Sequence, residues 1–159
     1  MKLHHLNNSR SHRVLWMLEE MGIAYDIVRY QRDRALLAPD ALRRVHPLGS
    51  SPVLEDNGMV IAESGAILEY LQETYDSAQN FKPATPQDRA QYRFWLHYAE
   101  GSLMPLMVMK MVFGNMDKPP VPEVFRSVGA MFGEAIQKTW LNRRIEIHSS
   151  YIENHLSSH

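Results

Sequence analysis

The sequence contains no cysteine. That excludes disulfides, thiolate metal sites and dithiol redox chemistry carried by the chain's own side chains. An excess of one charge is also missing: 17 Lys and Arg against 18 Asp and Glu leave a formal net charge of -1. With no long basic run either, nucleic acid is not expected as a partner. No uninterrupted apolar segment is long enough to span a bilayer, so no membrane role is expected. The opening MKLHHLNN lacks the apolar core of a signal peptide, and the cytoplasm is the expected compartment. There is no internal repeat. Histidine offers no metal site: His4 and His5 alternate faces on one strand, and His148 and His155 stand seven apart without a third ligand. What is present is 159 residues, 45% hydrophobic and 22% charged, an ordinary globular composition with room for one domain or two small ones.

The first half alternates strand and helix. Residues 2–6 read as a strand, followed by turn and cap residues Asn7, Asn8 and Ser9. Val14, Leu15, Leu18 and Met21 recur at helical spacing, and Gly22 can end that helix. Residues 24–30 read as a second strand, and Pro39 opens a short helix. PVLED and MVIAES are two strands joined by Asn57-Gly58, a strong hairpin signal. Ser64 can cap the next helix, whose Ile67, Leu68, Leu71 and Tyr75 share a face. After a polar, proline-bearing linker the pattern is helical only. A helix starts at Thr85, Pro86 and Asp88, and Pro105 should kink it. A last long helix runs from about Pro122 towards Leu156. The expected organisation is an α/β domain over residues 1–76, a linker over 77–84 and an all-helical domain over 85–159.

Three stretches carry a resemblance: NNSRSHRVLWMLEEMG (7–22), HPLGSSPVL (46–54) and ESGAILEYL (63–71). In this order and spacing the chain resembles the cytosolic glutathione transferases, and most of all their bacterial and fungal branch. The likeness runs along the whole chain. It implies a thioredoxin-like N-terminal domain followed by an all-α C-terminal domain, a homodimer, and glutathione as co-substrate without a metal. The activity it implies is transfer: the glutathione thiol becomes a thiolate and attacks an apolar electrophile, as in detoxification. The other reading of the same fold is a glutathione-binding or interaction protein without catalysis.

The resemblance also implies roles. Pro52 would follow a cis bond from Ser51 and turn the backbone of Val53 towards the cysteinyl part of glutathione, like an added strand. Glu63 and Ser64 match the family's acidic/amide-then-Ser pair, in which the serine hydroxyl and the helix N-terminal amides hold the γ-glutamyl carboxylate of glutathione, since free amides and the helix dipole favour an anion. Ser64 can equally serve only as a cap. A free thiol titrates near ~8.5 and needs a donor to favour the thiolate. Ser9 is the first choice for that donor, then Asn8 and Ser11. Ser50 departs from the family pattern, which often has a basic residue there for the glycine-end carboxylate. Arg10, Arg13 or His46 would have to substitute. Glu100 is a candidate for the ligand's ammonium group, with a solvated surface residue as the plainer alternative. Met104, Met107 and Met111 suit a wall for varied apolar electrophiles, and suit a core or dimer contact equally well.

The family's helical domain normally continues beyond SSYIENHLSSH, so this chain is expected to lack the C-terminal end of the fold. The helices should then leave apolar residues uncovered, among them Trp95, Phe125, Phe132 and Trp140. A fragment, a covering partner chain, or marginal stability would each account for it.

Overall fold

The computed structural model describes residues 1–33 and 37–158. They form two compact units, Met1–Arg89 and Ala90–His159, that divide inside one helix. The first unit follows the order β1 (Lys2–Leu6), α1 (Ser11–Glu20), β2 (Asp26–Tyr30), α2 (Asp40–Val45), β3 (Val53–Asp56), β4 (Met59–Ala62), α3 (Ser64–Tyr75). Its sheet has the order β2-β1-β3-β4. β1 runs parallel to β2 and antiparallel to β3, and β3 runs antiparallel to β4. This is a thioredoxin-like domain.

Alternation along the strands sorts the side chains. Leu3 and Leu54 meet Val14 and Leu18 of α1 and Ile67 and Leu71 of α3 in one fully buried cluster. Both helical pairs are spaced i,i+4, so each helix offers one apolar stripe. The next residue along β1, His4, faces the other way and is almost fully buried. Its Nδ1 lies 2.9 Å from the Tyr30 hydroxyl and its Nε2 2.8 Å from Glu55 Oε1. Asn57 and Gly58 both take positive φ, 48° and 77°, the pairing that a two-residue hairpin between twisted strands requires.

The start of α3 differs from the reading of Ser64 as a cap. Ser64 is already the first helical residue. The cap position belongs to Glu63, at φ 72° and without a side-chain capping bond. The chain leaves β4 at Ala62 and must reverse within one residue, so a non-glycine residue occupies the left-handed region.

Asp56 ends β3 as a buried carboxylate. It accepts hydrogen bonds from the hydroxyls of Tyr70, at 2.7 Å, and of Tyr75. The terminal ammonium of Met1 stands 3.8 Å away. Burial pushes this carboxyl's pKa up, but Tyr75, Tyr70, the ammonium and the Asn57 amide together bring it below the usual aspartate value. A depressed folded-state pKa stabilises the fold above the unfolded value, and that contribution disappears as pH falls through the folded one. The stability gap between the wild-type chain and Asp56→Asn should therefore narrow as pH drops below about 4. Thermal melts across a pH series read this. A gap independent of pH would show that Asp56 contributes nothing through its charge.

Helices are the only regular secondary structure among the described residues of the second unit, with a non-helical connection over 114–122. α4 (Pro86–Tyr98) begins at a reciprocal cap, in which the Thr85 hydroxyl donates to Asp88 Oδ2 at 2.7 Å and accepts from the Asp88 amide at 3.1 Å. A π-helical turn over Ala99–Leu103 leads into α5 (Met104–Phe113). It ends one residue short of Pro105, which has no amide to offer the preceding turn. α6 (Glu123–Ile136) passes through a second π-helical turn, Gln137–Leu141, into α7 (Asn142–Ser157). The expected last helix thus runs without a break from Glu123 to Ser157, with a π-helical turn inside it.

Gly129 and Gly133 let α6 approach the end of α5. A Cβ on Gly129 would lie 2.5 Å from the Met116 carbonyl oxygen, and one on Gly133 closer still to that of Phe113. On the rest of α6 the apolar side chains Phe125, Met131 and Phe132 are 56–62% exposed, and Trp140 beyond it is 41% exposed. Trp95 differs from the expectation, because it is half-buried. Its ring centre stands 4.6 Å from that of His155 and 5.6 Å from that of Tyr151, so α7 partly covers it.

Candidate functional site

The turn between β1 and α1 and the loop before β3 meet through serine hydroxyls. Asn8 sits in the turn at φ 50° and is exposed. Arg10 holds the N-cap of α1, and Ser11 is its first helical residue. The Ser9 hydroxyl lies 2.7 Å from the Leu6 carbonyl and 2.7 Å from Ser11 Oγ. It also reaches Ser51 Oγ at 3.4 Å, across 42 positions of sequence. Ser9 is half-buried, whereas Ser11 is fully buried.

Ser51 extends the sheet with its side chain. Its Oγ donates to the His4 carbonyl at 2.9 Å and accepts from the Leu6 amide at 3.1 Å. These β1 groups point where β3 would continue, but Pro52 has no amide to offer. The hydroxyl takes over where the strand stops. The Ser51-Pro52 bond is cis. Val53 is fully buried and registered against both His4 and Ala62, so its main chain belongs to the sheet. This corrects the expectation that Val53 turns its backbone to a ligand: Val53 is paired on both sides, and Ser51, just outside that register, is the residue whose main chain is left at the sheet's end.

The remaining sequence-derived candidates are placed as follows. In α3 the first intrahelical bond runs from the Ile67 amide to the Glu63 carbonyl, which leaves the amides of residues 64–66 at the open helix end. Ser64 is buried beside them. His46 follows α2 in extended conformation, and its carbonyl accepts the Gly49 amide at 2.9 Å. Its Nδ1 lies 3.4 Å from the Leu48 amide. Ser50 is exposed. In the helical unit, Glu100 is half-buried within the first π-helical turn. Met104 and Met107 are half-buried on α5, and Met111 is 59% exposed.

Sequence reasoning missed His5. Its Nδ1 lies 2.8 Å from Ser11 Oγ, joining the serine cluster from β1. The signal was available: His5 alternates with His4, so it shares the face of Leu3 that carries α1. Burial, then the neighbouring His12 and Arg29, hold the His5 pKa below the usual histidine value. Its ring stands edge-on to that of His12, with centres 4.9 Å apart.

Comparison with known proteins agrees with the fold. Residues 1–73 match the glutathione S-transferase N-terminal domain family. Glutathione S-transferase 3 of Schizosaccharomyces pombe is 38% identical over 98% of this chain and 64% of its own length. Glutathione S-transferase 1 of Saccharomyces cerevisiae is 28% identical over 98% of this chain and 69% of its own length. A crystal structure of a glutathione S-transferase from Actinobacillus pleuropneumoniae superposes with a TM-score of 0.73 at 28% identity, covering 98% of this chain and 66% of that one. Residues 1–73 thus belong to the glutathione S-transferase N-terminal domain family, and the chain spans about two thirds of the length of these relatives. Among the described residues no helix is long and apolar enough to cross a membrane.

Proposed function

We propose that this chain binds glutathione in its first unit and activates the thiol for attack on an apolar electrophile. The observation that carries the reading is the Ser9–Ser51 contact. It brings the hydroxyl at the start of α1 to the loop where the main chain leaves the sheet. A cysteinyl group paired with the main chain of Ser51 would have its sulfur near Ser9. The hydroxyl would then donate to the thiolate and favour loss of the thiol proton. The amides of residues 64–66 with Ser64, and Glu63 beside them, are assigned to the γ-glutamyl end. His46 and Ser50 are assigned to the glycine end.

One observation favours a non-catalytic glutathione-binding role instead. Ser9 directs its hydroxyl hydrogen at the Leu6 carbonyl, and that bond must be given up for a thiolate to be served. Retention on immobilised glutathione, measured together with a thiol-conjugation assay, separates the two roles. Binding with turnover is the expected result, and binding without turnover would leave the second reading. A homodimer burying surface from residues 62–75 and 88–105 is part of the proposal. Sedimentation that shows only monomer at micromolar concentration would remove it.

A further inference from the structure

We infer that His5 is the proton acceptor of the site, acting through Ser11 and Ser9 on a thiol bound beside Ser9. This rests on the reading of Ser9 as the thiol's hydrogen-bond donor. The geometry is a continuous chain: His5 Nδ1 to Ser11 Oγ at 2.8 Å, and Ser11 Oγ to Ser9 Oγ at 2.7 Å. Both distances suit transfer along hydroxyls. Ser11, the middle member, is fully buried, so water does not compete for its hydrogen bonds and the chain polarises as a unit.

The step balances without another reactant. The thiol proton passes to Ser9 Oγ, the Ser9 proton to Ser11 Oγ, and the Ser11 proton to Nδ1 of neutral His5. The products are a thiolate accepting from the Ser9 hydroxyl and an imidazolium whose Nδ1–H donates to Ser11. Every hydrogen bond in the chain then points towards the sulfur. The relay requires Ser9 to turn its hydroxyl hydrogen from the Leu6 carbonyl to Ser11 Oγ before transfer, and both acceptors lie 2.7 Å away. The imidazolium returns its proton to solvent or to the leaving group.

The charged and titratable groups facing His5 are His12 from α1 and Arg29 from β2. Both disfavour a resting imidazolium, which keeps the acceptor neutral near pH 7. As pH falls through the lowered His5 value, the acceptor fills and the relay stops. His5 is a positioning residue in this scheme, since it reaches the sulfur only through two serines.

The test is His5→Asn. The Asn side chain offers hydrogen-bonding atoms near the Nδ1 position but cannot hold the proton. The pKa of bound glutathione, read from thiolate ultraviolet absorbance, should rise by about one unit. Turnover at neutral pH should fall about 10²-fold with little change in the glutathione KM. The deficit should shrink as pH is raised and the thiol ionises without help. A merely structural role would give a deficit independent of pH. The double variant with Ser9→Ala should be no worse than Ser9→Ala alone.

If His5→Asn leaves the thiol pKa unmoved while Ser9→Ala raises it, the relay is wrong and Ser9 stands. Additive effects in the double variant also overturn the relay. If Ser9→Ala leaves the thiol pKa unmoved, or the wild-type chain shows no bound thiolate, both assignments fail.

Discussion

Ser9→Ala is expected to lower conjugation turnover by roughly 10²–10³-fold, the usual cost of removing one donor aimed at a developing anion. The loss should appear in kcat more than in glutathione affinity, because the hydroxyl serves the thiolate and not the bound thiol. Ser11→Ala should behave differently. Ser11 is buried between His5 and Ser9, so its removal leaves a histidine nitrogen without its partner. That costs about 1–3 kcal/mol of stability, and the turnover loss is the smaller of the two variants'. Steady-state kinetics and chemical unfolding of both proteins check the pair. If Asn8→Ala abolishes turnover while Ser9→Ala keeps it, the thiol sits one residue earlier than assigned.

Gly133→Ala is expected to destabilise the helical unit by about 1–3 kcal/mol, the range for forcing extra atoms into a closed contact. The opposing term is real, since alanine gains about 1 kcal/mol over glycine in a helix interior. The contact should win because the atom in the way is the Phe113 carbonyl oxygen, and a backbone oxygen cannot swing aside as a flexible side chain does. Gly101, with nothing near its Cβ position, is the control: Gly101→Ala should be neutral or stabilising. Chemical unfolding followed by the helical signal reads both variants. A higher melting temperature for Gly133→Ala would mean that α5 and α6 do not approach as closely as described.

The first unit was largely legible because its rules are local. Two periodicities, one Asn-Gly turn and a glycine after Met21 suffice to place β1, α1 and the hairpin, and their bounds agree with the structure to within two residues. The start of α3 was misread for a physical reason. Serine favours a cap by its own chemistry, but the exit from β4 forces the reversal one residue earlier, and Glu63 takes the strained position. The two π-helical turns left no trace in propensity, since one extra residue per turn changes neither composition nor apolar spacing much. In the candidate site, Ser9 and Ser51 were each legible from their motifs. Their hydrogen bond was not, nor was the part of His5, because each depends on which strand face meets which helix end. The cover over Trp95 depends on α7, more than 50 residues away in sequence, and periodicity carries no such information.

The central place of β1 in the sheet has a consequence for synthesis. This strand leaves the ribosome before β2 and β3, yet it needs both of them as neighbours. Its antiparallel partner is complete only at Asp56. At ordinary elongation rates of about 5–20 residues per second, the β3-facing edge of β1 waits roughly 3–10 s for its partner. During that interval Leu3 and Leu6 have no finished core to enter. The hairpin of β3 and β4 closes within microseconds of emerging, so the β1 edge is covered as soon as the hairpin is made, and the core around Leu3 then waits only for Ile67 and Leu71 of α3.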